Sequence, residues 1–357
     1  MSVIDRTELA ASIDAPSALI RREASRSSTL FGAPFSDFGK TAELSSWMSA
    51  VQGRMVPHSP TAAHVVIFAA DHGVEESLPV EFRASRSTSE ILTGVLGGAE
   101  PVSSLAKIAG AQITLVDAGF IRPDSCNEIS GVYQAEGFSL RPCSGAIDSQ
   151  NALTEDEAEG AFALGVHVAD RVIDSGADLL IPGSIGAGRD TVAAVVAALY
   201  TSMDPATSVL QARAQHDTAW MRQVAVVRDS MLRGRPLKGY TMGMLAAVGG
   251  ADILAVAGFL LQASARRVPV LLDGTSTCVG AMVAHRIAYK SAEWWIPAYR
   301  PHEPAGMAAL AHLGLEPLTD STVGYGDGSS ALAALPILAT AAHMAQSVCL
   351  AAEGQVT

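Results

Sequence analysis

Aromatic residues make up only 5% of this 357-residue chain, although 49% of it is hydrophobic. The apolar surface is therefore carried by Ala, Val, Leu and Ile, with 32 Gly alongside. That mixture suits helices packed tightly over a sheet and excludes a disordered chain. Cysteine is equally thin: Cys126, Cys143, Cys278 and Cys349 stand far apart, with no pair at metal-ligand spacing. A reducing compartment, no disulfide framework and no metal are expected. Positive charge is in deficit, 24 Lys and Arg against 36 Asp and Glu, for a formal net charge of −12. The footprint of a nucleic-acid binder is missing, so no nucleic-acid partner is expected, although a local basic pocket for phosphate stays open. The N-terminus, MSVIDRTELAASIDAPS, carries acidic residues where a secretion signal needs an apolar stretch. The most apolar segments, 242–262 and 331–351, are Ala-rich and contain Gly249, Gly250 and Asp252, or Pro336 and His343. They read as buried helices rather than membrane spans, and a cytoplasmic location with no membrane partner is expected.

Four apolar runs are continuous rather than alternating, the pattern of strands buried on both faces: His64–Ala70, Gln112–Val116, Asp178–Pro182 and Val268–Leu272. Helical patterns at 86–109, 154–175, 190–202 and 252–265 separate them. Alternation of this kind predicts an α/β fold built on a doubly wound, mostly parallel, Rossmann-like sheet. Ligands of such sheets sit outside the carboxyl ends of the strands. The residues gathered there are Asp71-His72-Gly73, Asp117-Ala118-Gly119, Gly183-Ser184-Ile185-Gly186 and Asp273-Gly274. The large domain is expected over 60–330. A small helical domain is expected from 1–59, which is irregular and Ser-rich, together with 331–357.

The most informative stretch is Gly183-Ser184-Ile185-Gly186-Ala187-Gly188-Arg189-Asp190-Thr191, a strand end leading into a helix. Free N–H groups and the helix dipole favour an anion there, and Arg189 adds a charge-assisted donor for phosphate. The alternative is a tight turn with Arg189 in solvent and Asp190 or Thr191 as cap. The glycine order is not that of a dinucleotide fingerprint, which counts against an unrelated dinucleotide enzyme, and a P-loop lysine is missing. A second glycine loop, Gly324-Tyr325-Gly326-Asp327-Gly328-Ser329, runs into an Ala-rich helix. Asp327 there is a candidate general base, or simply a helix cap. Asp71-His72 reads as an acid/base or metal pair, or as a hydrogen-bonded structural pair. Asp273 offers a ribose ligand or a turn closure.

Several motifs in one order resemble the nicotinate-nucleotide–dimethylbenzimidazole phosphoribosyltransferase family. They are Phe68-Ala69-Ala70-Asp71-His72-Gly73-Val74, Gly97-Gly98-Ala99, Gly249-Gly250-Ala251-Asp252-Ile253, Ala265–Gly274 and Leu313–Leu318, within a resemblance spanning about 35–350. The resemblance implies a homodimer that needs no metal or redox cofactor. It implies a reaction in which the nitrogen of an aromatic base displaces nicotinate from C1′ of nicotinate mononucleotide, giving an α-ribotide. It places the proton-accepting carboxylate on Asp327, and phosphate and ribose at Gly183, Ser184, Gly186, Gly188, Arg189, Asp190, Thr191 and Asp273. The base would lie near Asp71, His72, Ser87, Ser89 and Glu303.

The chain departs from the family at ligand-facing positions. Asp327 stands where the family has Glu, Ser184 replaces an acid, and Gln211-Ala212-Arg213-Ala214 replaces a glycine loop. A second expectation therefore runs beside the first: a catalytically impaired relative serving as a ligand sensor or as one subunit of a heteromer.

Overall fold

The computed structural model describes residues 4–27, 39–122, 129–138, 140–210, 216–320 and 325–352. Three helices, α1 (Arg6–Ser12), α2 (Ala18–Ser27) and α3 (Lys40–Gln52), precede β1 (Ala63–Ala69). The chain continues through α4 (Thr88–Leu96), α5 (Pro101–Ala109), β2 (Gln112–Asp117), β3 (Val132–Tyr133) and α6 (Glu155–Asp174). Next come β4 (Leu179–Ile185), α7 (Arg189–Thr201), α8 (Pro205–Ser208), α9 (Asp217–Gly234), α10 (Thr241–Val248) and α11 (Ala251–Ala265). The last elements are β5 (Val270–Leu272), α12 (Thr275–Ile287), β6 (Trp295–Pro297), α13 (Pro304–Leu313) and α14 (Ser329–Ala352).

All six strands pair in parallel, in the order β3-β2-β1-β4-β5-β6. The order reverses direction between β1 and β4, and the crevice at that switch point is where such sheets take ligands. Every residue of β1 and of β4 is buried, as their unbroken apolar runs require. The four expected strands are present with small shifts of boundary, while β3 and β6, of two and three residues, add the sheet edges. The expected helix over 86–109 is two helices. Gly97 and Gly98 end the first, and Pro101 opens the second at a position where its missing N–H costs nothing. The apolar segment 242–262 likewise divides at Gly249-Gly250 into α10 and α11. Among the described residues, no helix is long and apolar enough to cross a membrane.

Pro182 shapes the middle of the sheet. The Leu180 N–H donates to Pro269 O at 3.1 Å, and β4 pairs with β5 at Leu180–Val270 alone. Alternation along a strand turns residue 182 to the same side, where proline has no N–H to give. At the next such position Ser184 N–H donates not to a strand but to Gly326 O, at 2.8 Å. The loop before α14 thus occupies the space from which β5 has diverged.

Below the sheet, α6 and α11 run together at backbone distance. A Cβ on Gly165 would stand 1.8 Å from Ala255 O, and one on Gly258 would stand 2.1 Å from Phe162 O. The pair forms one wall of the core, with Phe259 edge-on to Phe68 of β1 at 5.7 Å. Gly165→Ala is expected to force the two helices apart and to lower stability by roughly 1–3 kcal/mol, the usual range for overpacking, as read by urea unfolding. An unchanged midpoint would show that the seam yields freely.

Candidate active site

At the switch point the strand ends are tied by buried carboxylates. Asp71 Oδ1 accepts from the Thr88 hydroxyl and, at 2.9 Å, from Ala187 N–H, while Oδ2 accepts from Ile121 N–H at 2.8 Å. One side chain therefore joins the tips of β1, β2 and β4 to the first turn of α4. Its neighbour His72 is turned inward and fully buried. Nε2 lies 3.3 Å from Asp252 Oδ1 without lining up as a hydrogen bond, and Nδ1 is 3.4 Å from the Ser144 hydroxyl. Asp252 Oδ2 accepts from the Ser184 hydroxyl at 2.8 Å. Burial opposes the Asp252 charge, but His72 and the Ser184 hydroxyl outweigh it and hold the carboxyl below the ordinary range.

The two glycine loops meet here. A Cβ on Gly183 would fall 2.7 Å from the Asp327 carbonyl carbon, and one on Gly274 would fall 2.4 Å from Gly326 Cα. Arg189 donates to Ser184 O and, at 2.5 Å, to Tyr325 O, stapling the β4 turn to the second loop. Above this seam opens a cleft of about 440 Å³, walled by the 81–86 segment on one side and by Gly188–Thr191 and Asp327 on the other. Gly188, at φ +75°, starts α7 with no side-chain cap, so the helix presents N–H groups toward the cleft. A larger hollow of about 820 Å³, lined by Arg54, Asp178 and Arg267 among others, lies at the amino ends of β4 and β5. Helices flanking a parallel sheet bring their negative C-terminal ends there, the wrong polarity for phosphate.

The residues expected at the site divide by position. Gly186, Gly188, Arg189, Asp190, Thr191 and Asp327 line the cleft. Asp327 is 8% exposed, and its Oδ1 also accepts Ser329 N–H at 3.0 Å, so it caps α14 while facing the cleft. Gly183 and Ser184 lie beneath, engaged with the second loop and with Asp252. The hydroxyl of Thr191 is taken by Gln223 at 2.8 Å. Asp273, read from sequence as a ribose ligand or a turn closure, is fully buried and accepts Ala331 N–H at 2.8 Å. Ser87 caps α4 through a capping box with Glu90, and the Ser89 hydroxyl donates to Ile121 O at 2.7 Å. Glu303 accepts from the Thr275 hydroxyl at 2.8 Å at the head of α13. Arg213 and residues 211–214 lie outside the described residues. No three His, Cys, Asp or Glu side chains among the described residues converge as a metal-binding group.

Sequence reasoning missed three participants. Asp252 had a signal, since a charge within a helix apolar on all sides must find a partner. Phe82 and Tyr325, the apolar and aromatic surfaces of the cleft, had none. Glu75 is a further surprise. Its carboxylate accepts Ala84 N–H at 2.5 Å, faces Gly188 N–H, and leaves Oε2 buried without a partner. Burial pushes this carboxyl above the usual range, against the pull of those N–H groups.

A parallel sheet in this order, with an uncapped helix start and a carboxylate loop at its switch point, defines an α/β enzyme that handles a phosphorylated small molecule. The comparisons with known proteins name the family. A phosphoribosyltransferase family model matches residues 13–356, and the chain belongs to that family. The nicotinate-nucleotide–dimethylbenzimidazole phosphoribosyltransferase of Streptomyces avermitilis is 38% identical over 97% of this chain and 91% of its own length. That of Streptomyces coelicolor is 36% identical over 99% of this chain and 98% of its own. The crystal structure of the Thermus thermophilus enzyme superposes with a TM-score of 0.83 at 27% identity, over 92% of this chain and 96% of that one.

Two outcomes test this anatomy. Asp252→Asn is expected to cost about 3 kcal/mol in urea unfolding at neutral pH, as breaking a buried pair does. The Asp252 carboxyl is held low in the folded state, so its contribution is complete above the ordinary carboxylate range. The gap to wild type should close as the pH falls below it. Glu75→Gln removes a negative charge beside Gly188, and inorganic phosphate, followed by calorimetry, is expected to bind about fivefold more tightly, equivalent to ~1 kcal/mol. Weaker binding would show that phosphate does not use this helix start.

Proposed function

We propose that this protein transfers the phosphoribosyl group of nicotinate mononucleotide to dimethylbenzimidazole or a similar aromatic base, releasing nicotinate and an α-ribotide. The observation that carries the reading is the meeting of the α7 start and the Asp327 carboxylate across one cleft. The phosphate rests on the N–H groups of Arg189 and Asp190, with the Arg189 side chain as the nearby cation. The base lies against Phe82, Ile91 and Tyr325. Asp327 takes the proton from the base N–H, and the freed nitrogen forms a bond to C1′. The C1′–N bond to nicotinate breaks, and its electron pair returns to the pyridine ring. No metal and no redox cofactor enters these steps.

Wider features belong to the same reading. The packing of α3 on α2 and α14 supports a small helical lobe formed by 1–59 and 331–357 around a larger 60–330 domain. A homodimer follows the family resemblance, the widely spaced cysteines favour a reducing, cytoplasmic location, and the acidic net charge disfavours nucleic-acid partners.

Incubation with nicotinate mononucleotide and dimethylbenzimidazole is expected to release nicotinate. Asp327→Asn should lower the turnover about 10²-fold or more, the usual contribution of a general base. Binding of both compounds without any nicotinate release, from this base or a panel of others, would instead make the chain a sensor or the silent subunit of a heteromer.

A further inference from the structure

Beneath Asp327 lies a second carboxylate that the reaction above does not use. Asp273 follows the last residue of β5 and is 0% exposed. Oδ2 accepts Ala331 N–H at 2.8 Å, and the carboxyl also meets Ser330 N–H and the Tyr299 hydroxyl. Oδ1 has no well-formed hydrogen bond among the described residues. Asp327 binds Ser329 N–H of the same first turn, so two carboxylates grip one helix start. Gly274, next to Asp273, touches Gly326, next to Asp327, with no room for a Cβ between them. The two acids can therefore hardly move apart.

We propose that Asp273 is a positioning residue for the transfer: its carboxylate fixes the first turn of α14 beneath the Asp327 loop and so holds Asp327 where it can reach the proton of the incoming base. This rests on the reading of Asp327 as the proton acceptor. The physical basis is that an ionised carboxylate accepts N–H and O–H donors about twice as strongly as a neutral group does. An ionised Asp273 grips Ala331 N–H, Ser330 N–H and the Tyr299 hydroxyl and holds the loop in register, and a neutral one loosens that grip. Burial first, and then the Asp327 charge, push the Asp273 carboxyl up to about 7, so the switch falls in the working pH range. The other titratable groups around it do not compete there. From α12 comes Cys278, whose thiol burial pushes up to about 12. After β6 comes Tyr299, whose hydroxyl burial and the Asp273 charge hold strongly upward. Glu303 and Arg189 act on these same neighbours from α13 and α7.

The experiment is a pH profile of kcat and kcat/KM for nicotinate release by wild type, Asp273→Asn and Tyr299→Phe. It is paired with infrared titration of the ligand-free proteins. Wild-type kcat is expected to rise about tenfold as the pH passes through 7, the scale of effect that a small misplacement of a catalytic group produces. Asp273→Asn keeps an acceptor for Ala331 N–H and should stay at the low-pH rate throughout, with KM for the nucleotide little changed. Tyr299→Phe removes a donor to the ionised form, so the inflection should move to higher pH. In the infrared, a protonated-carboxyl band that titrates near neutrality in wild type should vanish in Asp273→Asn. An inflection that persists in Asp273→Asn, or a uniform loss of rate at every pH, overturns the proposal while leaving the transferase reading intact. The infrared band does not depend on turnover, so its absence from wild type overturns the proposal even if no transfer is observed.

Discussion

Three carboxylates, Asp71, Asp252 and Asp273, are almost wholly removed from water beneath the cleft, and everything above them is arranged by the need to satisfy them. A buried charge without partners costs far more than any loop geometry, so the chain must bring donors to each. Asp71 draws in backbone N–H groups from the β2 and β4 turns and a hydroxyl from α4. Asp252 draws His72 and Ser184, and Asp273 draws the first turn of α14. The crevice expected at a topological switch point is therefore a fixed arrangement here, with its loops held from below rather than from the solvent side.

That arrangement explains why framework and ligand positions were unequally readable from the sequence. The strands β1, β2, β4 and β5 announce themselves as apolar runs, and the glycine turns after them mark the functional edge of the sheet. The short strands β3 and β6 carry too few residues for any period to show. The helix expected over 86–109 failed at Gly97-Gly98 and Pro101 because apolar spacing continues across the break. Of the expected site residues, those facing the cleft share a loop or a helix start, whereas Asp71, His72, Ser87 and Ser89 carry equally polar side chains spent on structure. Residue type cannot distinguish these cases; only the identity of the partner does, and the partner is often distant in the chain. Asp71 meets Ala187, and His72 meets Asp252.

The departures from the family take a physical form. The resemblance puts Ser184 where an acid is expected, and its hydroxyl closes onto Asp252 rather than the cleft. Glu75 brings a carboxylate to the start of α7 from another direction.

The contact between Ser184 N–H and Gly326 O has a temporal consequence. It joins a strand to a loop synthesised much later, with Arg189 and Tyr325 spanning the same interval. The sheet can pair β1, β2 and β4 as soon as those segments leave the ribosome, but the gap opened by Pro182 stays unfilled until the segment around Gly326 arrives. The seam beneath the cleft therefore closes only after the strands on either side of it have been made.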